Sequence, residues 1–182
     1  LNVQTFYHPL IKLINDGHKQ VQKEAIAAAG QLKSKHLMSL LIYKLADKQL
    51  QMVTTQALIK YGAVSRDTLI KVMGNNSENA SIRRSIPKIL QEIGGQESAK
   101  ALLEILHTND VKLRHNALVA LAAVSRDEKG VKLNEGALEG ELMKEARSFC
   151  ENLAIEDDLK GFDARGLIHD ALENRREASL DR

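Results

Sequence analysis

Apolar residues recur along the chain in groups that share one helical face. In the first group, Val21, Ala25, Ile26 and Ala29 follow the spacing i, i+4, i+5 and i+8, which places all four on one side of an α-helix. Later groups keep this register: Val53, Ala57, Leu58 and Tyr61, then Ile89, Leu90 and Ile93, then Leu113, Ala117, Leu118 and Leu121. The pattern predicts four amphipathic helices of one kind.

A regular glycine follows the first three groups. Gly30, Gly62 and Gly94 are each 32 residues apart, and Ala122 takes the equivalent place in the fourth group after a shorter interval of 28. The pentapeptide Ala-Val-Ser-Arg-Asp at 63–67 returns at 123–127, in agreement with this register. Fixed periods of about 20 to 50 residues are typical of solenoids. We therefore predict a repeat array in which each glycine closes a helix.

A shorter helix is predicted before each of these four, at about 9–15, 37–46, 67–73 and 97–107, with Asn- and Asp-rich turns between. The fold class is therefore all-α, a right-handed α-α superhelix of about four helical hairpins. Ile89 stands where the other units have alanine, which predicts looser or shifted packing around the third unit. Pro87 has no amide to donate to the Arg83 carbonyl, which predicts a kink unless the helix starts late.

The period is lost after Val124. Residues 125–134 are predicted as a polar connector, followed by a long helix at about 135–155 and another from about Ala164 that cap the array. Repeats at 1–124 and the connector and caps at 125–182 are assigned to one domain. An apolar stripe still runs at Arg182 and the chain does not begin with Met, so we expect a fragment of a longer protein.

Composition agrees with a helical binding module. Aromatic residues make up 3% of the chain, hydrophobic residues make up 43%, and there is no tryptophan. With 26 basic and 24 acidic side chains, the net charge of +2 gives no overall field for nucleic acid or an anionic membrane. The single Cys150 excludes an internal disulfide and favours a reducing, cytoplasmic location, and no apolar run approaches the roughly 20 residues of a membrane span.

Catalytic and metal-binding motifs are weak in this sequence. The six histidines never form an i, i+4 pair, and His107 and His115, which flank the Asn109-Asp110 turn, are interpreted as solvated. There is no Walker loop, dinucleotide glycine fingerprint or nucleophile elbow. Ser85 and Lys88 have the bare spacing of some serine acyl enzymes, without the companion motifs. We predict no enzyme activity, no cofactor and no metal.

Two columns of exposed positions lie ten and six residues before each anchor glycine or alanine. They contain Gln20, Glu24, Met52, Gln56, Arg84, Lys88, Lys112 and Asn116. Because they become basic in the later units, we predict a docking surface for an acidic peptide, a protein surface or a phosphate group. Its candidate residues are Arg83, Arg84, Lys88, Lys112, Arg114 and His115. The alternative is a solvated helix face, in which Arg84, Lys88 and Glu92 partly neutralise one another.

The repeats at about 9–124 resemble the HEAT family, in particular the short units of phycobilisome lyases. The resemblance rests on the Val21 and Val53 helix entries, on the steps Ile82-Arg83 and Leu113-Arg114, and on the closing pairs Ala29-Gly30, Tyr61-Gly62 and Ile93-Gly94. Gln22 and Thr54 stand where that family commonly has arginine. The resemblance implies an α-solenoid that binds other proteins.

A narrower resemblance is to the HEAT region of bacterial membrane proteins related to ATP/ADP translocases. It is carried by 82–90 with 93–95, by 113–121 and by 171–176. It implies a non-enzymatic interaction or regulatory part on the cytoplasmic face, with other domains of the same protein as partners, and contact with a membrane only through flanking segments. Two alternatives stay open: a HEAT-like alkylpurine DNA glycosylase, which the absent tryptophan disfavours, and a bilin lyase-like chaperone, suggested only by repeat type.

Overall fold

A computed structural model of the protein describes residues 3–127 and Gly140. Within these residues the secondary structure is helical and contains no strand. The helices are α1 (Val3–Ile14), α2 (Lys19–Leu32), α3 (Lys35–Lys44), α4 (Gln51–Tyr61), α5 (Ala63–Gly74), α6 (Ala80–Ile93), α7 (Gly95–Glu104) and α8 (Val111–Asp127), with a short 3₁₀ helix at Ile105–His107. All of them belong to one compact unit, Leu1–Asn134. The predicted capping helices and Cys150 lie outside the described residues.

The helices pack in a regular order. Each odd-numbered helix packs against the even-numbered helix that follows it. The even-numbered helices also pack against one another: α2 against α4, α4 against α6, and α6 against α8. The described helices therefore form four consecutive hairpins whose second helices touch one another in sequence. The core between them is mainly aliphatic and includes Ile26, Leu41, Leu58, Leu69, Ile86, Leu90, Leu102, Leu113 and Leu121.

Several predicted boundaries were wrong. Helix α1 begins at Val3, so Pro9 lies inside the helix and does not start it. Helix α5 begins at Ala63, four residues before the predicted start. Helix α8 continues through Asp127 and so includes the first three residues of the predicted polar connector. In each case the helix extends beyond the segment that the apolar pattern marked.

The repeated glycines have two different roles. Gly62 and Gly94 follow α4 and α6 directly, with φ of 58° and 68°, as the prediction of a closing residue requires. For Gly30 this prediction was wrong. It lies inside α2, which continues to Leu32 and ends where Lys33 takes the left-handed φ of 50°. Glycines at the same position of the sequence period therefore have different roles. Gly62 and Gly94 adopt a left-handed backbone conformation, and Gly30 allows close packing.

Candidate functional site: a groove between α4 and α6

An open groove of about 640 Å³ lies along the exposed side of the second helices. Helix α4 lines one side with Gln51, Met52, Thr55, Gln56 and Ile59, and α6 lines the other with Ser81, Arg84, Ser85, Lys88 and Glu92. Asn116 of α8 and, from the turn before α4, Ala46 and Lys48 complete the lining. The groove contains five residues of the predicted columns, at 52, 56, 84, 88 and 116, so these positions do share one surface.

Side-chain size at equivalent repeat positions differs between the α2–α4 pair and the α4–α6 pair. At the α2–α4 contact the backbones meet closely: a Cβ placed on Gly30 would lie only 2.8 Å from the Ala57 Cα. One repeat later the corresponding residues are Gly62 and Ile89, and a Cβ on Gly62 would have no neighbour within 4 Å among the described residues. Ile89 is fully buried. Helix α4 packs less extensively on α6 than on α2, in agreement with the looser or shifted packing expected around the third unit.

Uncharged polar side chains bridge the helices at the groove. Gln51 Nε2 donates a hydrogen bond to Ser85 Oγ at 2.5 Å, and Ser85 Oγ donates to the Ser81 carbonyl at 2.7 Å. Asn116 Nδ2 donates to the Arg84 carbonyl at 2.8 Å, which connects α8 to α6. Helix α6 continues through Pro87, which leaves the Arg83 carbonyl without its usual amide donor. Neutral hydrogen bonds therefore hold the polar part of the groove lining in place.

The cations of the groove differ in how strongly they are held. Arg84 Nε donates to both carboxylate oxygens of Asp110, at 3.0 and 2.9 Å. Burial would raise the pKa of Asp110, but the hydrogen bonds from Arg84 and from the Leu113 amide outweigh it and hold that pKa below its ordinary value. Lys88 forms an i, i+4 pair with Glu92 at 2.9 Å, with both side chains well exposed. Lys48 is exposed, and no carboxylate among the described residues pairs with it.

The structure divides the six predicted docking residues into three sets. Arg84 and Lys88 line the groove, as expected. Lys112 and His115 are exposed on α8 but do not line it. Arg83 was wrongly predicted to belong to an exposed surface because it is buried, whereas Arg114 is half-buried and its place on a docking surface stays a prediction. Arg83 is 6% exposed and its Nε donates to the Met73 carbonyl at 2.9 Å, while Arg114 Nη1 donates to the Thr108 carbonyl at 2.9 Å.

Arg83 and Arg114 share a structural role. It is apparent when the helices are aligned by their first residues and not when they are aligned by their glycines. Arg83 and Arg114 are each the fourth residue of their helix, as Gln22 is in α2 and Thr54 is in α4. Gln22 likewise bonds backwards, from Nε2 to the Asp16 carbonyl at 2.6 Å. Helix α6 begins about one turn earlier relative to its glycine than the other second helices, so the glycine alignment does not show that Arg83 is equivalent to Gln22, Thr54 and Arg114. The fourth position faces the end of the preceding helix.

Sequence reasoning missed part of the groove. Lys48 and Ala46 come from the turn between α3 and α4, and Gln51, Thr55 and Ile59 lie beside the predicted columns on α4. The available sequence signal is Ile89 in a column of alanines, because it distinguishes the α4–α6 pair from the other pairs of second helices. Combined with the helix register, that signal predicts that side chains beside the columns on α4 become accessible.

The groove does not assemble the serine and lysine motif for catalysis. Ser85 and Lys88 both line it, but the Ser85 hydroxyl is hydrogen-bonded to Gln51 and Ser81, and Lys88 pairs with Glu92. Across residues 3–127, no group of three or more His, Cys, Asp or Glu side chains is arranged to hold a metal ion. In the same part of the chain, no helix has the length and apolar character needed to cross a membrane.

Compared with known proteins, the sequence matches no family model and no curated protein.

Proposed function

We propose that the chain is a HEAT-like solenoid that acts as a non-enzymatic interaction module and binds a segment of another protein in the groove between α4 and α6. The observation that carries the proposal is the groove itself, which crosses the second helices and draws its lining from three of them. Clefts between helices that combine apolar side chains with a few placed polar groups are typical binding sites.

The charges of the groove favour a protein segment over nucleic acid. Arg84 is bound to Asp110 and Lys88 to Glu92, so the cations of α6 that line the groove are already paired with carboxylates. Nucleic-acid surfaces instead present cations to the phosphates and aromatic rings to the bases. No aromatic side chain is among the described residues that line this groove. A base-excising enzyme therefore receives no support from the site.

The wider context is a separate proposal. The resemblance to the cytoplasmic HEAT region of translocase-like membrane proteins supports a place for this chain beside a membrane domain, with other domains of that protein as partners. Reading the sequence that flanks the chain in its gene tests this directly. Membrane spans before Leu1 are the expected result, and a flanking sequence without them would remove the translocase context while leaving the groove proposal intact.

A display library of short random peptides, selected against the chain, tests the binding function. Peptides that bind are then measured by fluorescence polarisation against the wild type, Gln56→Trp and Lys60→Trp. Both positions are exposed on α4, but Gln56 lines the groove and Lys60 does not. We expect the indole at position 56 to block binding and the one at position 60 to leave it unchanged. Recovery of no binder, or equal binding by all three proteins, would contradict the proposal.

A further inference from the structure

We propose that the occupant of the groove is an extended peptide segment that carries an acidic residue next to a large apolar residue. This inference rests on the proposed function and adds the chemistry of the partner. Three separate observations lead to it: the neutral polar groups of the lining, an exposed apolar patch on α4, and two lysines that reach the groove from opposite sides.

The neutral polar lining favours an extended segment. Gln51 and Ser85 are hydrogen-bonded across the groove, whereas Thr55 and Gln56 of α4 and Ser81 of α6 bring further amide and hydroxyl groups to it. A bound helix satisfies its own backbone hydrogen bonds and would cover these groups without offering them partners, at a desolvation cost. An extended segment has free N–H and C=O groups along its whole length that can bond to them. The lining therefore matches an extended backbone.

The apolar residue of the segment has a defined place on the α4 side. Met52 is 75% exposed, the largest exposure among the large apolar side chains of the described residues, and Ala46 and Ile59 line the same side of the groove. Met is flexible and polarisable, so it packs against ligand side chains of different shapes. Covering Met52 with an aliphatic or aromatic side chain removes apolar surface from water.

The charges at the groove edges favour an acidic residue in the bound segment. Lys48 lies in the turn before α4 and has no carboxylate partner among the described residues, while Lys88 lies on α6 in an exposed pair with Glu92. Exposed i, i+4 pairs contribute little to stability, so a ligand carboxylate can compete for Lys88. Arg84 is excluded from this role because Asp110 holds it with two hydrogen bonds. With Asp110 against Arg84 and Glu92 against Lys88, Lys48 leaves the groove with a positive balance.

The experiment uses peptides selected against the full chain, synthesised in matched forms and measured by fluorescence polarisation. In one form the acidic residue is replaced by its amide, in another the apolar residue by serine, and in a third a proline stands at a non-contacting position. Proline is compatible with an extended chain but breaks a helix. The protein variants are Lys48→Glu, Lys88→Glu and Met52→Ala. Lys60→Glu and Val119→Ala change exposed residues outside the groove and serve as controls.

The proposal expects selected peptides to share an acidic and an apolar residue. Each lysine reversal should weaken binding roughly tenfold, in proportion to the charge on the peptide, and added salt should reduce this difference. The proline form should bind like its parent. Peptides that bind in the groove without an acidic residue, or that lose binding with proline, would overturn the chemistry proposed here and leave the binding function standing. Recovery of no groove-binding peptide would overturn both.

Discussion

At the residue scale, single atoms decide how closely neighbouring repeats approach. Gly30 lies against Ala57, where a Cβ would sit 2.8 Å from the Ala57 Cα and 2.9 Å from its Cβ. Such distances are shorter than van der Waals contact, and the obstacle includes backbone that cannot move aside locally. The tight contact between α2 and α4 therefore depends on the absence of a side chain at position 30.

Replacing Gly30 with alanine should destabilise the protein by about 1 to 3 kcal/mol, because α2 and α4 must separate to admit the methyl group. Gly74→Ala is the matched control, since Gly74 is also helical and a Cβ there meets no atom within 4 Å. The control should be neutral or slightly stabilising, because alanine favours the helix. Urea unfolding followed by circular dichroism measures both. Equal midpoints for the two variants would rule out the close approach as a cause of tight packing.

Tyr61 connects the first two hairpins through its hydroxyl. It is 2% exposed, it donates to the Ser34 carbonyl at 3.0 Å, and its oxygen lies 3.3 Å from the Ala29 carbonyl. Burial, with a smaller contribution from Tyr7, raises the pKa of Tyr61 to about 12. The folded protein therefore holds this proton in a range of pH where an unfolded chain releases it.

Tyr61→Phe should lower the free energy of unfolding at pH 7 by about 1 kcal/mol, because it removes the buried hydrogen bond from the phenol to the Ser34 carbonyl, which keeps only its bond from the Leu37 amide. Since the folded pKa is raised, the stability due to the neutral phenol is complete below pH 10 and is lost as pH rises towards about 12. Urea midpoints of the two proteins should converge over that window. A constant difference across it would show that the phenol does not titrate as proposed.

At the scale of elements, the helix starts carry information that the sequence period does not. The apolar spacing was sufficient to predict four second helices and the columns at 52, 56, 84, 88 and 116. It failed at Arg83, because α6 begins at Ala80 and turns that residue towards the Met73 carbonyl. The start of α6 depends on the Asn79 side chain, which accepts from the Ser81 amide as an N-cap. A repeat alignment anchored at the opposite helix end does not register this cap.

The pentapeptide Ala-Val-Ser-Arg-Asp shows how one residue decides whether a helix stops. At 63–67 it opens α5 after Gly62, whose φ of 58° and ψ of −139° are strained for any side chain. At 123–127 the same five residues end α8 without a break, because Ala122 replaces the glycine and stays helical. Identical sequence therefore begins one helix and continues another.

Gly62→Ala should cost about 1 to 3 kcal/mol, since the methyl group meets open space and only the backbone angle opposes it. The converse change, Ala122→Gly, should cost less, about 0.5 to 1 kcal/mol, because it only loosens an exposed helical position. Thermal unfolding compares the two. If Gly62→Ala were as stable as the wild type, the turn between α4 and α5 would have to tolerate a second conformation.

At the scale of the whole molecule, the repeat order was predictable and the groove was not. Each hairpin buries the same kind of aliphatic residues, so periodicity alone reports that second helices stack in order. Where the groove opens depends on how α4 and α6 approach each other, which no single segment encodes. The ion pairs were not predictable either. Lys19 with Asp47 and Arg84 with Asp110 each join consecutive repeats, and the two partners are too far apart in the sequence for a local pattern to reveal.

Aspartates recur at the turns that precede second helices, and their protonation affects several repeats together. Asp16 accepts from the His18 amide before α2, Asp47 binds the Lys19 ammonium before α4, and Asp110 binds Arg84 before α8. The backbone hydrogen bond from His18 lowers the pKa of Asp16, and the hydrogen bond from Lys19 lowers that of Asp47. Asp110 has a lowered pKa as well. Protonation of the aspartate therefore weakens an interaction at three of the four turns that precede second helices.

The double substitution Asp47→Asn and Asp110→Asn should therefore lower the urea midpoint at pH 7 and have little effect in acid. Because the folded pKa values lie below 3.8, the stability from these carboxylates is present above that pH and is lost as pH falls through the folded values. Asp67→Asn is the control at an exposed position in α5 and should not change the midpoint at pH 7. A midpoint difference that persists unchanged at pH 2 would mean that these side chains act by shape. Convergence in acid would show that charge joins consecutive repeats at their turns.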